Sequence, residues 1–520
     1  ICWSLVGSEM CIRDSIIWAP LKNGLKSVSL SANWMWPANN IGENNRLYTA
    51  VKACSDFCIE LGINVPTGKD SMSMKQKYKT GEVLSPGTVI ISATAEVSDV
   101  SKCVEPFFKK LNSNIYYIDM SSCVLNLGGS ALMQSNNKIG NKSNDILNAK
   151  YFKKVFNVIQ KLITDEKIYS GHDVSSGGLI TTILEMSFVS SGIGLELFLN
   201  EFDENDLIKI LFAENHALVI EAEKTIESHL IDNNIKFLNI GKTVNSNDIK
   251  IQKDEKNYTL NIDDYRKKWF DKSLTLDSIQ SGSEYAKKRY TNLKSNQLKF
   301  KFPKWFDGLF KKINNNKIKA AILREKGSNS EREMAYAMYV SGFDVIDVHM
   351  TDLMSGREDL SNIKFLVAVG GFSNSDVLGS AKGWAGTFLY NEKAKKSLKN
   401  FYSKKNNLSL GVCNGCQLFM ELGLITVESK SKTFMDHNDS GKFECVFTSV
   451  EIEKNNSIMF KNFEDTNLGI WSAHGEGKFI LPGEETDYNI IGKYSKNSFP
   501  SNPNAVSYTH LRAHETPAHL

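Results

Sequence analysis

The stretch LSLGVCNGCQLFMELG (408–423) decides how this chain reads. It opens as a short apolar strand, passes a cysteine with glycines on either side, and continues with apolar residues at helical spacing. A strand–cysteine–helix turn of this kind has the shape of a nucleophile elbow. Gly411 and Gly415 permit a turn that a Cβ would obstruct. Cys413 would then sit at the C-terminal edge of a sheet, where open α/β sheets place their sites. Helix amides aimed at its sulfur favour the thiolate. The amide of Asn414 is placed to stabilise an oxyanion. A second donor is expected from Gly371, because VAVGGFSNSDVLGSAKGW (367–384) ends a neighbouring strand in Gly370–Gly371.

Cys413 and Cys416 also make a C-x-x-C, so a redox pair, half a zinc site and two plain core cysteines are competing readings. The chain has no second C-x-x-C to complete a zinc site, and a redox pair needs neither the preceding glycine nor the GGFS turn. The nucleophile is the preferred reading.

Outward from the elbow, the chain from Lys317 alternates strictly. AAILRE (320–325), DVIDVHM (344–350), FLVAVGGF (365–372) and LSLGVC (408–413) are predicted strands. Helices are predicted over 331–343, 391–405 and 414–424. This alternation predicts a doubly wound parallel sheet. Upstream, 16–98 reads as strands around one helix at 47–62, with VPTGKDSMSM (65–74) as a glycine turn carrying Lys69 and Asp70. Residues 99–255 read as a second α/β unit in which IYSGHDVSSGGL (168–179) is a strand, a Gly/Ser loop and a helix start. The Lys/Asn/Asp-rich stretch 256–316 reads as a connector with helices, and 317–504 as the alternating domain. Cys54 and Cys58 lie four apart on the first helix and read as core.

The 62 basic and 59 acidic residues nearly balance, which argues against a nucleic-acid or membrane partner that needs a broad basic field. No run approaches the length of a membrane span. Without paired ligand spacings, the cysteines fit a reduced cytoplasmic setting better than a disulfide framework. Two stretches stand apart. LVGSEMCIRDS (5–15) and VSYTHLRAHE (506–515) are encoded by one DNA string and its reverse complement, which resembles a library-preparation adapter. Residues 1–15 and 505–520 are therefore read as adapter-derived, and Cys2, Cys11, His510, His514 and His519 are set aside as ligands.

GVCNGCQ (411–417) resembles the G-x-C-x-G-x-Q signature of class I glutamine amidotransferases. Further stretches resemble the phosphoribosylformylglycinamidine synthase family in its order: SLSANWMWPANNIGENNRLYTAVKA (29–53), GINVPTGKDSMSMK (62–75), GHDVSSGGL (171–179), AAILREKGSNSEREMAYA (320–337), HNDSGKFE (437–444) and AHGEGKF (473–479). The resemblance implies an α/β multidomain chain. It would hold the second half of an aminoimidazole-ribonucleotide-synthetase-like α+β synthase, followed by a class I glutaminase. It implies ATP- and glutamine-dependent conversion of formylglycinamide ribonucleotide to formylglycinamidine ribonucleotide, with ATP and Mg²⁺ as cofactors. Cys413 would be the nucleophile, Asp173 a magnesium ligand and Ser175 a nucleotide contact; a carboxylate and a Ser/Gly loop before a helix suit those tasks. A helix N-cap is the structural alternative for Asp173. Lys69 and Asp70 are weaker candidates for substrate or nucleotide contact. His474 and Glu476 resemble the family's H-G-E-G loop rather than its catalytic His-Pro-Glu, which this sequence lacks. The intact single-chain form is expected to be a monomer, and this piece to be inactive. GGFSNSD (370–376) departs from the commoner GGFS-Tyr-Gly-Asp, which puts the local loop shape in question. Two other functions stay open: another ATP-dependent synthetase of the superfamily, and a non-catalytic DJ-1-like cysteine protein.

Overall fold

A computed structural model describes residues 12–190, 192–293, 298–309, 313, 318–425, 433–504 and the backbone of 508–511. Most of the two adapter-read ends, with Cys2, Cys11, His514 and His519, lies outside the described residues, as does Lys317. The chain divides into two compact units, Ile1–Trp269 and Phe270–Leu520. No helix among the described residues is long and apolar enough to cross a membrane.

The first unit holds three sheets, the smallest a two-stranded ribbon of Lys75–Tyr78 and Gly81–Leu84. A three-stranded sheet has the order Asn64–Ser71, Ser29–Met35, Thr88–Thr94. The helix Glu43–Leu61 contributes Ala50, Cys54, Phe57, Cys58 and Leu61 to the core and ends on Gly62 at φ +80°. The segment expected to be a glycine turn is a strand instead: Asn64–Ser71 runs parallel to Ser29–Met35 and pairs Asn33 with Lys69 and Trp34 with Asp70. The reason is Gly68, where a Cβ would come within 2.1 Å of the Ala32 carbonyl oxygen. The glycine serves close strand approach, not a reversal.

A seven-stranded mixed sheet follows, ordered Lys256–Asn261, Asp248–Lys253, Ile193–Phe198, Phe237–Asn245, Asn114–Asp119, Ala217–Ala222, Ile168–Val174. Lys256–Asn261, in the stretch read as connector, is its edge strand and pairs antiparallel with Asp248–Lys253. Strand alternation builds a core on each face. Tyr116 and Ile118 join the core that holds the helix Ala149–Thr164, while Ile115 and Tyr117 join the one that holds the helix Gly178–Phe188. Ile12 and Arg13, within the stretch read as adapter-derived, are buried in this unit.

The second unit contains the expected parallel sheet, ordered Phe343–His349, Ile318–Arg324, Phe365–Ala368, Leu408–Gly411. Both faces are covered: Ala321 and Leu323 pack with Trp384, Phe388 and Phe419, and Ala320 and Ile322 with Met338. Each fully buried large apolar side chain contributes about 1.5–3 kcal/mol relative to exposure. A second, antiparallel sheet has the order Asn467–His474, Glu444–Ile452, Ile490–Tyr494, Tyr508–Leu511.

Candidate functional site

The elbow forms where the sequence places it. Strand Leu408–Gly411 is followed by Cys413 at φ +53°, ψ −113°, and helix Asn414–Glu421 begins at the next residue. A positive φ at a non-glycine residue costs energy and clusters at functional sites. Here it projects the thiol outward, and Cys413 is exposed. The surrounding backbone is packed so closely that a Cβ at Gly415 would come within 2.1 Å of the Ala368 oxygen. A Cβ at Gly370 would lie 3.2 Å from Cys413 Cβ and 3.7 Å from its Sγ. Gly370 therefore lies directly against the cysteine, while Gly371 is pressed onto Gly327–Asn329. Asn414 is the first helical residue, so its amide has no acceptor within the helix.

Cys416, one turn on, packs against Met420, Met435 and Phe479. Burial pushes its thiol up to about 12, so it is no thiolate near neutrality. The C-x-x-C is one exposed and one suppressed cysteine.

Three segments around the elbow are joined by side-chain amides. The Ser373 N–H donates to Asn414 Oδ1 (3.2 Å), Asn414 Nδ2 donates to Gln417 Oε1 (2.8 Å), and Gln417 Nε2 donates to the Glu476 carbonyl (2.8 Å). Glu476 in turn accepts from the Ser380 hydroxyl at 2.6 Å and from the Ser380 N–H. Its other oxygen lies 3.5 Å from His437 Nδ1. Glu476 is thus a brace for the 373–381 loop. That loop holds Asn374, Ser375, Asp376, Ser380 and Ala381 at positive φ. Burial raises the Asp376 carboxyl above its ordinary range; the Ala381 N–H opposes this and the charge of Glu476 adds to it.

His474 lines the same cavity as Cys413, about 850 Å³ in volume, with Gln417, Trp471 and Glu476. Both its ring nitrogens have partners: Nδ1 lies 2.8 Å from Asn438 Oδ1 and Nε2 2.8 Å from Ser472 Oγ. Burial lowers its pKa. These contacts commit the ring to the 438 and 472 segments.

In the first unit, Asp173 ends the strand Ile168–Val174 and is buried. The helix Gly178–Phe188 is capped by Gly177, so Asp173 is not its N-cap. Asp173 Oδ2 accepts from Arg13 Nη1 at 2.8 Å, and Oδ1 lies 3.2 Å from His172 Nδ1. Burial alone would raise the Asp173 carboxyl; the His172 hydrogen bond and the Arg13 charge outweigh it and hold the pKa low. The Arg13 guanidinium on Oδ2 comes from the stretch read as adapter-derived, so this ion pair does not decide the Mg²⁺ reading of Asp173; among the described residues no group of three His, Cys, Asp or Glu is placed to hold an ion.

Ser175 lies in the Gly/Ser loop, its carbonyl accepting the Gly178 N–H. Lys69 and Asp70 are exposed neighbours on one strand, so their side chains leave opposite faces of the sheet. Lys69 Nζ donates to Ser71 Oγ at 2.6 Å. The residues that sequence reasoning missed are Gln417, Ser373, Ser380, Asn438 and, in the first unit, Glu214. Gln417 stood within the GVCNGCQ signature. Ser373 and Ser380 stood within VAVGGFSNSDVLGSAKGW (367–384) and Asn438 within HNDSGKFE (437–444), but their side-chain roles depend on distant partners; Glu214 lay outside every quoted motif.

Three family models match successive parts of the chain: a FGAR-AT PurM_N-like domain over 6–96, an AIR synthase related protein C-terminal domain over 115–254, and a CobB/CobQ-like glutamine amidotransferase domain over 317–507. A probable phosphoribosylformylglycinamidine synthase of Arabidopsis thaliana, named as chloroplastic/mitochondrial, is 37% identical over 90% of this chain and 34% of its own length. A probable phosphoribosylformylglycinamidine synthase of Caenorhabditis elegans is 39% identical over 93% of this chain and 39% of its own length. The phosphoribosylformylglycinamidine synthase of Dictyostelium discoideum is 35% identical over 93% of this chain and 38% of its own length. Among solved structures, T. maritima PurL complexed with FGAR is similar over 50% of this chain and 42% of that one, at 10% identity and a TM-score of 0.39. The chain thus spans between a third and two fifths of the length of the curated relatives it matches. Over nearly its whole length, the chain is similar to phosphoribosylformylglycinamidine synthases, and its successive parts match the three family models in turn.

Proposed function

We propose that the second unit is a glutaminase and that the chain is part of an enzyme converting formylglycinamide ribonucleotide to formylglycinamidine ribonucleotide. The observation that carries this is the strained elbow: Cys413 at φ +53° with Gly370 against it. The Cys413 thiolate attacks the side-chain carbonyl carbon of glutamine. The oxygen takes the electron pair, and the N–H groups of Gly371 and Asn414 are the proposed donors to it. Collapse of the adduct breaks the C–N bond, ammonia leaves with an added proton, and a glutamyl thioester remains for water to hydrolyse.

In the synthase part, ATP activates the amide oxygen of formylglycinamide ribonucleotide and ammonia displaces the phosphate. Ser175 is the proposed nucleotide contact, and Lys69 or Asp70, on opposite faces, can serve one ligand site at most. Asp173 remains the proposed Mg²⁺ ligand, and no step is drawn through the metal. The division at 16–98, 99–255, 256–316 and 317–504, the monomeric state and the cytoplasmic location belong to the same proposal.

Because the piece is expected not to turn over glutamine, the test reads acylation of Cys413 alone: the chain is incubated with glutamine and weighed. A glutamyl adduct on the peptide containing Cys413, absent from Cys413→Ser, supports the reading. No adduct at saturating glutamine removes it.

A further inference from the structure

One end of the seven-stranded sheet gathers three segments. Strands Asn114–Asp119 and Ile168–Val174 flank Ala217–Ala222, which is antiparallel to both. The ends of the first two therefore meet the start of the third. Just before that start, Glu214 Oε1 accepts two backbone N–H groups, from Ala131 at 2.7 Å and from Gly177 at 2.8 Å. Those donors belong to different glycine loops, NLGGSA (126–131) and DVSSGG (173–178). A second contact holds the same pair of segments. A Cβ at Gly178 would come within 2.7 Å of the Leu211 oxygen and the Phe212 backbone, so the loop is pressed onto the segment that carries Glu214. Next along, Asn215 Nδ2 donates to Asp119 Oδ1 at 3.1 Å and Ser121 Oγ donates to Asn215 Oδ1 at 3.1 Å. The 211–215 segment is thus a template on which the loops are set.

From this geometry we infer that Glu214 is a positioning residue of the nucleotide cleft. One carboxylate oxygen welds the two glycine loops and consumes the Gly177 and Ala131 amides, so a nucleotide phosphate must find its donors on the serines of the DVSSGG loop instead. This rests on the reading that Ser175 meets a nucleotide. An acceptor oxygen on two N–H groups suffices for the weld, so the charge itself is dispensable.

The test compares the full chain with Glu214→Gln and Glu214→Ala by calorimetric titration with ATP and by amide hydrogen exchange. Glu214→Gln keeps a carbonyl acceptor and is expected to bind ATP within about threefold of the parent. Glu214→Ala is expected to bind at least tenfold more weakly, with faster exchange confined to the two loops and the core strands unchanged. Equal binding by Glu214→Ala overturns the inference. So does tighter binding by Glu214→Ala, which would make the carboxylate a competitor of phosphate, or equal damage in both variants, which would make the charge decisive. If the parent binds no ATP, the nucleotide reading fails; the weld is then judged by exchange, and unchanged exchange at Gly177 and Ala131 in Glu214→Ala sinks it too.

Discussion

The Asn414 side chain accepts the backbone N–H of Ser373 at 3.2 Å and, through Gln417, reaches the carbonyl of Glu476. Asn414 therefore has two tasks: its main chain is the proposed oxyanion donor, and its side chain fixes the turn that brings the other. Replacing Asn414 by Leu leaves the Ser373 N–H and the Gln417 carbonyl without partners in a buried place, at about 1–3 kcal/mol for each. Glutamyl-adduct formation should fall by roughly 10²-fold, the cost of losing one oxyanion donor. Alkylation of Cys413 by iodoacetamide, which needs no oxyanion hole, should change little. Equal loss of both activities would mean the elbow had simply collapsed.

The two cysteines of the elbow should differ sharply in reactivity. Cys413 is exposed, while burial lifts Cys416 to about 12. At about pH 8 a thiol of that pKa is roughly 10⁻⁴ thiolate. Peptide mapping after brief iodoacetamide treatment should find label on Cys413 and none on Cys416. Exposed Cys445 serves as the internal reference for an ordinary surface thiol. Label on Cys416 in the folded chain would contradict its enclosure among Met420, Met435 and Phe479.

What was legible in the sequence follows how local the cause is. The elbow was readable because strand, cysteine and helix start all lie within LSLGVCNGCQ (408–417). The alternating domain was readable because each strand shows a compact apolar run. Gly68 was misread because what requires it, the Ala32 carbonyl, lies on another strand. The edge strand Lys256–Asn261 is polar and exposed for most of its length, so it carries no apolar signature. Glu214 and Ser380 were out of reach for the same reason. Their partners are 37 and 83 residues away from Glu214, and 96 from Ser380.

The loop that departs from the commoner family pattern carries measurable strain. Ser375 stands where GGFS-Tyr-Gly-Asp has glycine, and it adopts φ +58° between Asn374 at +52° and Asp376 at +48°. A left-handed conformation costs a residue with a Cβ about 1–2 kcal/mol. Part of that gain is offset because glycine also loosens the unfolded chain. Ser375→Gly should therefore stabilise the second unit by about 0.5–1 kcal/mol, read as a higher denaturant midpoint at unchanged slope. A lower midpoint would show that the serine side chain contributes something its backbone cost conceals.

The first unit should lose stability as pH rises through neutrality, because of His172. Burial would lower the pKa of this ring. The hydrogen bond that the ring donates to Asp173, 3.2 Å away, and the charges of Asp173 and Glu185, the latter at 3.5 Å, outweigh burial and raise it. A raised histidine pKa means the folded state holds the proton more tightly than the unfolded chain. Its contribution is complete below the unfolded value of about 6.5 and disappears as pH climbs through the higher folded value. Asp173 works in the opposite sense but in a different window. Its lowered pKa gives stability above the ordinary carboxylate range and loses it only in acid, so it is constant across neutrality. Burial raises Glu185, the charge of His172 opposes this and that of Asp173 adds to it, so its contribution has the same sign as that of His172. In the interval above the unfolded value of about 6.5, His172 is the member of the cluster whose ordinary value lies nearest neutrality. Scanning calorimetry of the full chain should show the transition of the first unit moving to lower temperature across that interval. In His172→Asn the same transition should be flatter with pH and should start lower at pH 6, since Asp173 then keeps Arg13 alone as its cation. Parallel curves for parent and variant would mean that the ring is neutral throughout and that the contact with Asp173 carries no proton.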